Sequence, residues 1–302
     1  MKKKIITKIS EGLGNQFFMY ANSFALSKKF DLDFYIDPLS GYYKKKEVYN
    51  FMLSHFNISA KIAPEKHLFA NPKRNLLKKT LIFFDKFNKK KKFIFEKTNK
   101  VKISNFYDID IDKTHDYFYL DGNFESEKYF IKFKNELSNE FSIKNHNQFD
   151  NNKYLNYINT RNVVSICVRQ NRFSERLNNK NHKYSLDKSK LFVKQTIDYI
   201  YRSIDYFDNI IVDPLYLIWS NDFKDLNKFF SSKKFIFVEE NQNKILTDFF
   251  LLTQCKNFIV SPSTFNWWGA WLSKYKDKIC LRPKNLKASN NADFWPEKWI
   301  SI

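Results

Sequence analysis

Short apolar runs recur along this chain at intervals that a helix can fill. Runs rich in β-branched and aromatic residues predict strands near residues 5–9, 33–37 and 117–120. Others follow near 163–168, 215–220, 234–238, 257–260 and 278–281. Between many of them the apolar positions take helical spacing, as from Phe17 to Phe30. Strands that alternate with helices imply an α/β protein whose parallel sheets are covered on both faces. Residues 145–152 are polar and aperiodic, so the domain boundary is expected close to 145–160, dividing the chain into 1–155 and 156–302.

Two strand-to-helix junctions stand out. At the first, Ile5-Ile6-Thr7-Lys8-Ile9 leads through Gly12-Leu13-Gly14-Asn15-Gln16 into a helix. At the second, Phe258-Ile259-Val260 leads through Ser261-Pro262-Ser263-Thr264 into a helix carrying Trp267, Trp268 and Trp271. The unpaired N–H groups of a first helical turn, the positive end of the helix dipole and two hydroxyls suit a nucleotide diphosphate. Both junctions also have plain readings: a lone GxG permits a tight turn, and Ser263 caps a helix whose tryptophans fill the core. Open α/β sheets bind ligands at the carboxyl ends of their strands, and a cleft between two such sheets would use both loops.

The chain has 302 residues, 43% of them hydrophobic and 19% aromatic, which is enough for two domains. Its wealth of Lys, Asn, Phe and Ile fits an AT-rich coding sequence. Cys167, Cys255 and Cys280 are widely spaced with no CxxC pair, so neither a zinc site nor a disulfide framework is expected, and a reduced cytosol fits. The opening Met1-Lys2-Lys3-Lys4 precedes a stretch broken by Lys8, Glu11, Asn15 and Gln16, unlike a signal peptide, and no apolar run is long enough to span a membrane.

A net charge of +20 calls for an explanation. The basic residues are spread along the chain with no recognised nucleic-acid module, so nucleic acid is not expected as a partner. An anionic membrane surface is the second account, and the stretch from Lys73 to Lys102 is its best carrier. There Leu76, Leu77, Thr80, Leu81, Phe83, Phe84 and Phe87 fall near one helical face, with Lys78, Lys79, Lys86 and Lys89 to Lys92 on the rest. The third account is a solvated basic face over an ordinary core helix. The corresponding localisation is cytoplasmic, with or without peripheral attachment to the inner face of the membrane.

Four segments carry a family resemblance. Gly12-Leu13-Gly14-Asn15-Gln16 with Tyr20-Ala21, Gly122 with Ser126-Glu127-Lys128-Tyr129-Phe130, Ser220-Asn221-Asp222, and the stretch from Ser261 to Leu272 together resemble the α-1,2-fucosyltransferases of glycosyltransferase family 11. The order and spacing match over nearly the whole chain. The resemblance implies a GT-B-type fold of two Rossmann-like domains. The first is expected on the acceptor side and the second to bind a GDP-sugar. It also implies an inverting transferase that needs no metal or other cofactor, with fucose from GDP-fucose passed to an oligosaccharide or lipid-linked glycan of lipopolysaccharide or capsule.

One stretch departs from the family. Where members carry His-x-Arg-Arg-Gly-Asp, this chain reads Cys167-Val168-Arg169-Gln170-Asn171-Arg172. Arg169 inherits the role of holding the β-phosphate, whereas the histidine, second arginine and aspartate have no counterpart. Donor choice therefore stays open between GDP-fucose and another GDP-linked hexose or heptose, and an inactive sugar-binding protein is a further alternative.

The expected nucleotide site comprises Gly12, Gly14, Asn15, Arg169, Asn221, Asp222, Ser261, Ser263 and Thr264. Asp222 closes an apolar strand, where a carboxylate can accept from the guanine N1–H and exocyclic amine; capping a following helix is its alternative task. Arg169, Glu175 in the loop 171–179, and Asp37 after its strand are the catalytic candidates, with Glu175 in the place of the missing aspartate and Asp37 towards the acceptor. Asp31-Leu32-Asp33 and Asp108-Ile109-Asp110-Ile111-Asp112 contain the DxD pattern of metal-dependent transferases, but alternating Asp and Ile also describes an edge strand with one wet face, and no metal site is expected.

Overall fold

Ile5 and Ile6 are adjacent in sequence yet belong to different cores, because successive residues of a strand point to opposite faces of its sheet. Ile5 packs with Leu26, Leu32, Phe118 and Leu120, and Ile6 with Ala63, Phe69, Phe93 and Tyr119. Their strand, β1 (Lys4–Lys8), lies at the centre of a five-stranded sheet in a computed structural model that describes residues 2–43, 49–111, 114–174, 182–239 and 244–302. The other strands are β2 (Asp33–Asp37), β3 (Lys61–Ile62), β4 (Phe93–Phe95) and β5 (Tyr117–Asp121), in the order β3-β2-β1-β5-β4 and all parallel. Helix α1 (Leu13–Phe30) connects β1 to β2 and is buried from Gln16 to Ser27.

A second sheet has six parallel strands. They are β6 (Val163–Val168), β7 (Leu215–Ser220), β8 (Phe235–Phe237), β9 (Asn257–Ile259), β10 (Ile279–Arg282) and β11 (Ile300–Ser301). Their order, β8-β7-β6-β9-β10-β11, is the 3-2-1-4-5-6 of a dinucleotide-binding fold. Helix α5 (His182–Ile210) joins β6 to β7, α6 (Lys244–Gln254) precedes β9, and α7 (Thr264–Leu272) follows it. Ile197, Ile200 and Phe207 of α5 pack on Val164, Ile166 and Ile218 to form the core of one face.

The two sheets belong to two units. One comprises Met1–Lys144 and Ser289–Pro296, and the other Asn145–Ala288 and Glu297–Ile302. The short helices α3 (Lys134–Glu140) and α4 (Lys153–Thr160) lie on either side of that division.

All eight strands expected from the pattern are present. Unforeseen are β3, β4 and β11, which at two or three residues are too short for an alternating signature. The segment from Asp108 to Ile111 corrects an expectation, for it forms no strand. Ile109 and Ile111 are buried in the first sheet's core while Asp108 meets Lys29 at 3.3 Å, so the alternation is real but the backbone joins no ladder. Asp112 lies outside the described residues. Asp31, the other DxD start, sits at φ 53° as the C-cap of α1 and pairs with Lys2 at 2.6 Å.

Helix α2 (Pro72–Asp85) is turned against its pattern. Its two buried residues are Lys78 and Asp85, one i,i+7 line, while Leu76, Phe83 and Phe84 are exposed. Lys78 Nζ reaches Asp121 Oδ2 at 2.8 Å and lies 4.4 Å from the Tyr119 ring centroid. Asp85 accepts from the backbone N–H groups of Lys92 (3.0 Å) and Phe93 (2.9 Å), and Lys91 Nζ donates to the carbonyls of Asp85, Lys86 and Asn88 at 2.7–3.0 Å, closing the helix end. These polar partners, not an apolar stripe, choose the inward face, so the account of an ordinary core helix is corrected.

Candidate functional site

The carboxyl ends of β6 and β9 meet where the strand order of the second sheet reverses, the position at which open α/β sheets hold ligands. Val168 ends β6, and Arg169, half-buried, is the first residue beyond it. Ser261, two residues beyond β9, is fully buried, and its Oγ donates to the carbonyl of Cys167. Its own N–H donates to Asn266 Oδ1 (2.7 Å), from the first turn of α7. Ser261 therefore locks the two strand ends together and serves the backbone of the site.

Ser263 is the N-cap of α7 in extended conformation (φ −144°, ψ 134°), and its hydroxyl makes no capping bond. A hydroxyl beside a helix N-terminus that it does not cap remains usable by an anion, with the first-turn N–H groups behind it. Ser263 and Thr264 are both half-buried, whereas Trp267, Trp268 and Trp271 lie in the core beneath. The phosphate reading and the core-helix reading of this segment describe different faces of one helix.

The altered stretch after β6 keeps a well-defined shape. Asn171 sits at φ 54°, in the left-handed region where asparagine is the best-tolerated residue after glycine, which is what the family motif carries at this position. Its Nδ2 donates to Asp222 Oδ2 (3.2 Å). Gln170 binds the neighbouring strand end: its N–H donates to Asn221 Oδ1 (2.8 Å), and its Nε2 to the carbonyls of Asp222 (2.7 Å) and Lys224 (2.9 Å). Asn221 Nδ2 returns a bond to the Gln170 carbonyl at 3.1 Å.

We expect Asn171→Val to cost about 1–2 kcal/mol, because a β-branched residue is strained at this φ, and Asn171→Gly to be near neutral. Denaturant melts of both variants check this. Equal losses would assign the effect to the lost Asp222 bond instead.

Asp222 is half-buried, and its carboxylate also accepts from the Lys224 N–H at 2.9 Å, fixing the turn after β7. The helix it was expected as an alternative to cap is absent; a single 3-10 turn follows at Leu226–Lys228, with Asp225 before it. Arg172 is a residue that sequence reasoning passed over as a lost aspartate. Its guanidinium donates to the carbonyls of Pro262 (2.7 Å) and Ala288 and lies 5.0 Å from the Phe192 ring. It thus braces the loop that leads into Ser263. Cys167, in the place of the family histidine, is buried, and burial first, then the nearby Asp248, push its thiol far above the ordinary range. It is held as a neutral thiol in the strand.

Gly12, Gly14, Asn15 and Asp37 lie at the carboxyl edge of the first sheet, in the other unit. The left-handed residue in this loop is Glu11 (φ 64°), and no described glycine has positive φ. Among the described residues a Cβ on Gly12 would meet only Tyr49, at 3.8 Å, so packing against them does not demand glycine there. Gln16 fixes the loop by donating to the carbonyls of Glu11 (2.9 Å) and Asn50 (2.8 Å) and accepting from the Met52 N–H (2.9 Å). Asn15 Nδ2 donates to Glu11, and its buried Oδ1 has no partner among the described residues.

Asp37 is fully buried, with Oδ1 accepting from the N–H groups of Leu39 (3.1 Å) and Ser40 (3.0 Å) and Oδ2 from the hydroxyls of Ser40 and Tyr119 (2.7 Å). Those bonds make it an anchor of the turn after β2. Glu175 lies outside the described residues.

Comparison with known proteins agrees with this architecture. The model of Glycosyl transferase family 11 matches residues 4–302. An Alpha-1,2-colitosyltransferase of Escherichia coli is 26% identical over 99% of this chain and 98% of its own length. The O-antigen biosynthesis glycosyltransferase WbnK of Escherichia coli is 29% identical over 45% of this chain, and the match spans 46% of that protein. Among solved structures, NodZ alpha-1,6-fucosyltransferase soaked with GDP-fucose superposes with a TM-score of 0.53 at 9% identity, over 92% of this chain and 97% of that one. A mutant of Arabidopsis thaliana FUT1 in complex with GDP gives 0.53 at 14% identity, over 96% and 72%. The fold is thus of the GT-B type.

Proposed function

The chain belongs to glycosyltransferase family 11, and on that premise we propose that it is an inverting, metal-independent transferase that moves fucose from GDP-fucose, in α-1,2 linkage, to a lipopolysaccharide or capsule glycan. The observation that carries the reading is the joined β6 and β9 edge, with Arg169 on one strand end and the uncapped Ser263 hydroxyl on the other. In the reaction the acceptor oxygen attacks the anomeric carbon from the face opposite the diphosphate. The bond from that carbon to the β-phosphate oxygen breaks, and GDP departs with the electron pair. A β-linked donor then gives an α-linked product.

Arg169 and the α7 N-terminus would hold the charge that develops on the leaving group, where a placed donor stabilises the transition state more than the ground state. Asp222, held by its turn with one edge bound to Asn171, is the carboxylate for guanine. The acceptor proton goes to a carboxylate, for which Glu175 is the candidate.

A second reading, transfer of colitose, is favoured by the full-length relative of that activity. Colitose is fucose without its 3-hydroxyl, and a site that hydrogen-bonds a hydroxyl rejects the analogue lacking it by orders of magnitude. In excess EDTA we expect GDP to raise the melting temperature and UDP to leave it nearly unchanged. Equal protection by both would remove the guanine assignment. Faster GDP release from GDP-colitose than from GDP-fucose would transfer the donor assignment and leave the reaction class intact.

A further inference from the structure

The inversion of α2 leaves an apolar surface outside the fold. Phe83, Phe84 and Phe87 are 55%, 62% and 75% exposed, and Leu76 and Leu77 are 65% and 47% exposed. Leu76, Thr80 and Phe83 follow one another at i, i+4 and i+7 along the outer side of α2, and Phe87, two residues past the helix end, extends that stripe through its contact with Phe83. The phenylalanines already touch, with Phe83 edge-on to Phe84 (5.7 Å) and to Phe87 (5.4 Å). The inner side is fixed by the Lys78 and Asp85 contacts and by Leu81 and Ile82 on the first sheet's core, so no rotation of α2 can hide the stripe.

Charge identifies the occupant. Residues 72–95 contain eight lysines and one arginine against a single acidic residue, Asp85, which is buried. Lys73, Lys79, Lys86 and Lys89 are exposed along and just beyond the stripe. A second copy meeting this face across a two-fold axis would set those lysines against themselves. A lipid surface supplies what both features need: acyl chains for the phenylalanines and leucines, and phosphates for the lysines.

We propose that α2 and the lysines after it form an interfacial docking surface for an anionic bilayer, with α2 lying in the membrane plane. No described helix is long and apolar enough to cross a membrane, and the surface requires none. It places the protein beside lipid-anchored molecules whatever sugar it transfers.

The test is co-flotation of the full-length protein with phosphatidylcholine vesicles that contain or lack phosphatidylglycerol. Binding is expected to the anionic vesicles. The triple variant Phe83→Ser, Phe84→Ser, Phe87→Ser should lose about tenfold or more in partitioning at every salt concentration. Lys79→Gln, Lys86→Gln, Lys89→Gln should lose at least about tenfold at low salt and converge on wild type at high salt. All six positions are exposed, so the melting temperatures should stay near wild type, and the lysine set stands as an independent probe if the phenylalanine set fails to fold. Failure of the wild type to bind anionic vesicles would overturn the proposal. So would unchanged partitioning in a folded phenylalanine variant, or a lipid-free wild-type dimer that the phenylalanine substitutions separate.

Discussion

Arg169→Lys should lower turnover roughly 10²–10³-fold while the melting temperature stays within a few degrees of wild type, the loss typical of one transition-state donor. Lysine keeps the charge but loses the planar fork that holds two oxygens of a phosphate at fixed angles. The position is set by backbone: Val168 closes a strand buried at all six residues, and the Ser261 hydroxyl ties the adjoining Cys167 carbonyl to the β9 edge. The guanidinium therefore starts from a rigid point on the site's rim. Arg172→Lys is the contrasting variant, since Arg172 donates to the carbonyls of Pro262 and Ala288; it should weaken the fold more than the chemistry. GDP release measured at saturating donor, with a parallel thermal melt, separates the two. Near wild-type turnover in Arg169→Lys would take the β-phosphate role away from this residue.

Lys78→Met should destabilise the protein by about 2 kcal/mol, because it keeps the aliphatic stem but leaves Asp121 with one cation in place of two, while burial, which holds the Lys78 ammonium below its ordinary value, offsets part of the loss. Lys78 and Asp121 side chains are only 10% and 19% exposed, and Lys8 holds the other Asp121 oxygen. Burial by itself would raise the Asp121 carboxyl, but Lys8 and Lys78 overcome it and hold the group below its ordinary value. A carboxylate depressed in the folded state contributes fully above the unfolded value near 3.8 and loses that contribution as pH falls through the lower folded value. The unfolded value is common to both proteins, so the difference between wild type and Lys78→Met should be constant around neutral pH and shrink as pH falls through the Asp121 value of the variant, which lies above that of the wild type because one of its two cations is gone. Denaturant titrations at several pH values measure this. A neutral-pH difference under about 1 kcal/mol would mean that the pair is merely tolerated and does not hold α2 in place.

Much of the candidate site was legible because its signals are local. A strand, a turn of small or hydroxyl residues and a helix follow one another within about a dozen residues at both junctions, and periodicity plus capping chemistry is enough to read them. The family could be read for the same reason, from short segments in a fixed order. Less legible was the departure after β6. By residue type Asn171 and Gln170 look like losses, yet Asn171 supports the left-handed turn and Gln170 bonds the next strand end. That compensation depends on Asn221 and Asp222, about fifty residues away. Arg172 was misread similarly, since its partners Pro262 and Ala288 are far along the chain.

The α2 segment marks the limit most clearly. Sequence alone determined that within the stretch from Lys73 to Lys102 the leucines and phenylalanines from Leu76 to Phe87 fall near one helical face and the lysines on the rest, because periodicity is a property of neighbouring residues. Which side faces the protein was decided only in the tertiary structure. Lys78 can be buried because Asp121, 43 residues later, arrives on the end of β5 together with Lys8 from β1, and Asp85 because the N–H groups of Lys92 and Phe93 close over it. A charge is buried only where distant partners satisfy it, and their arrival depends on the order in which the strands pair, which no local pattern encodes.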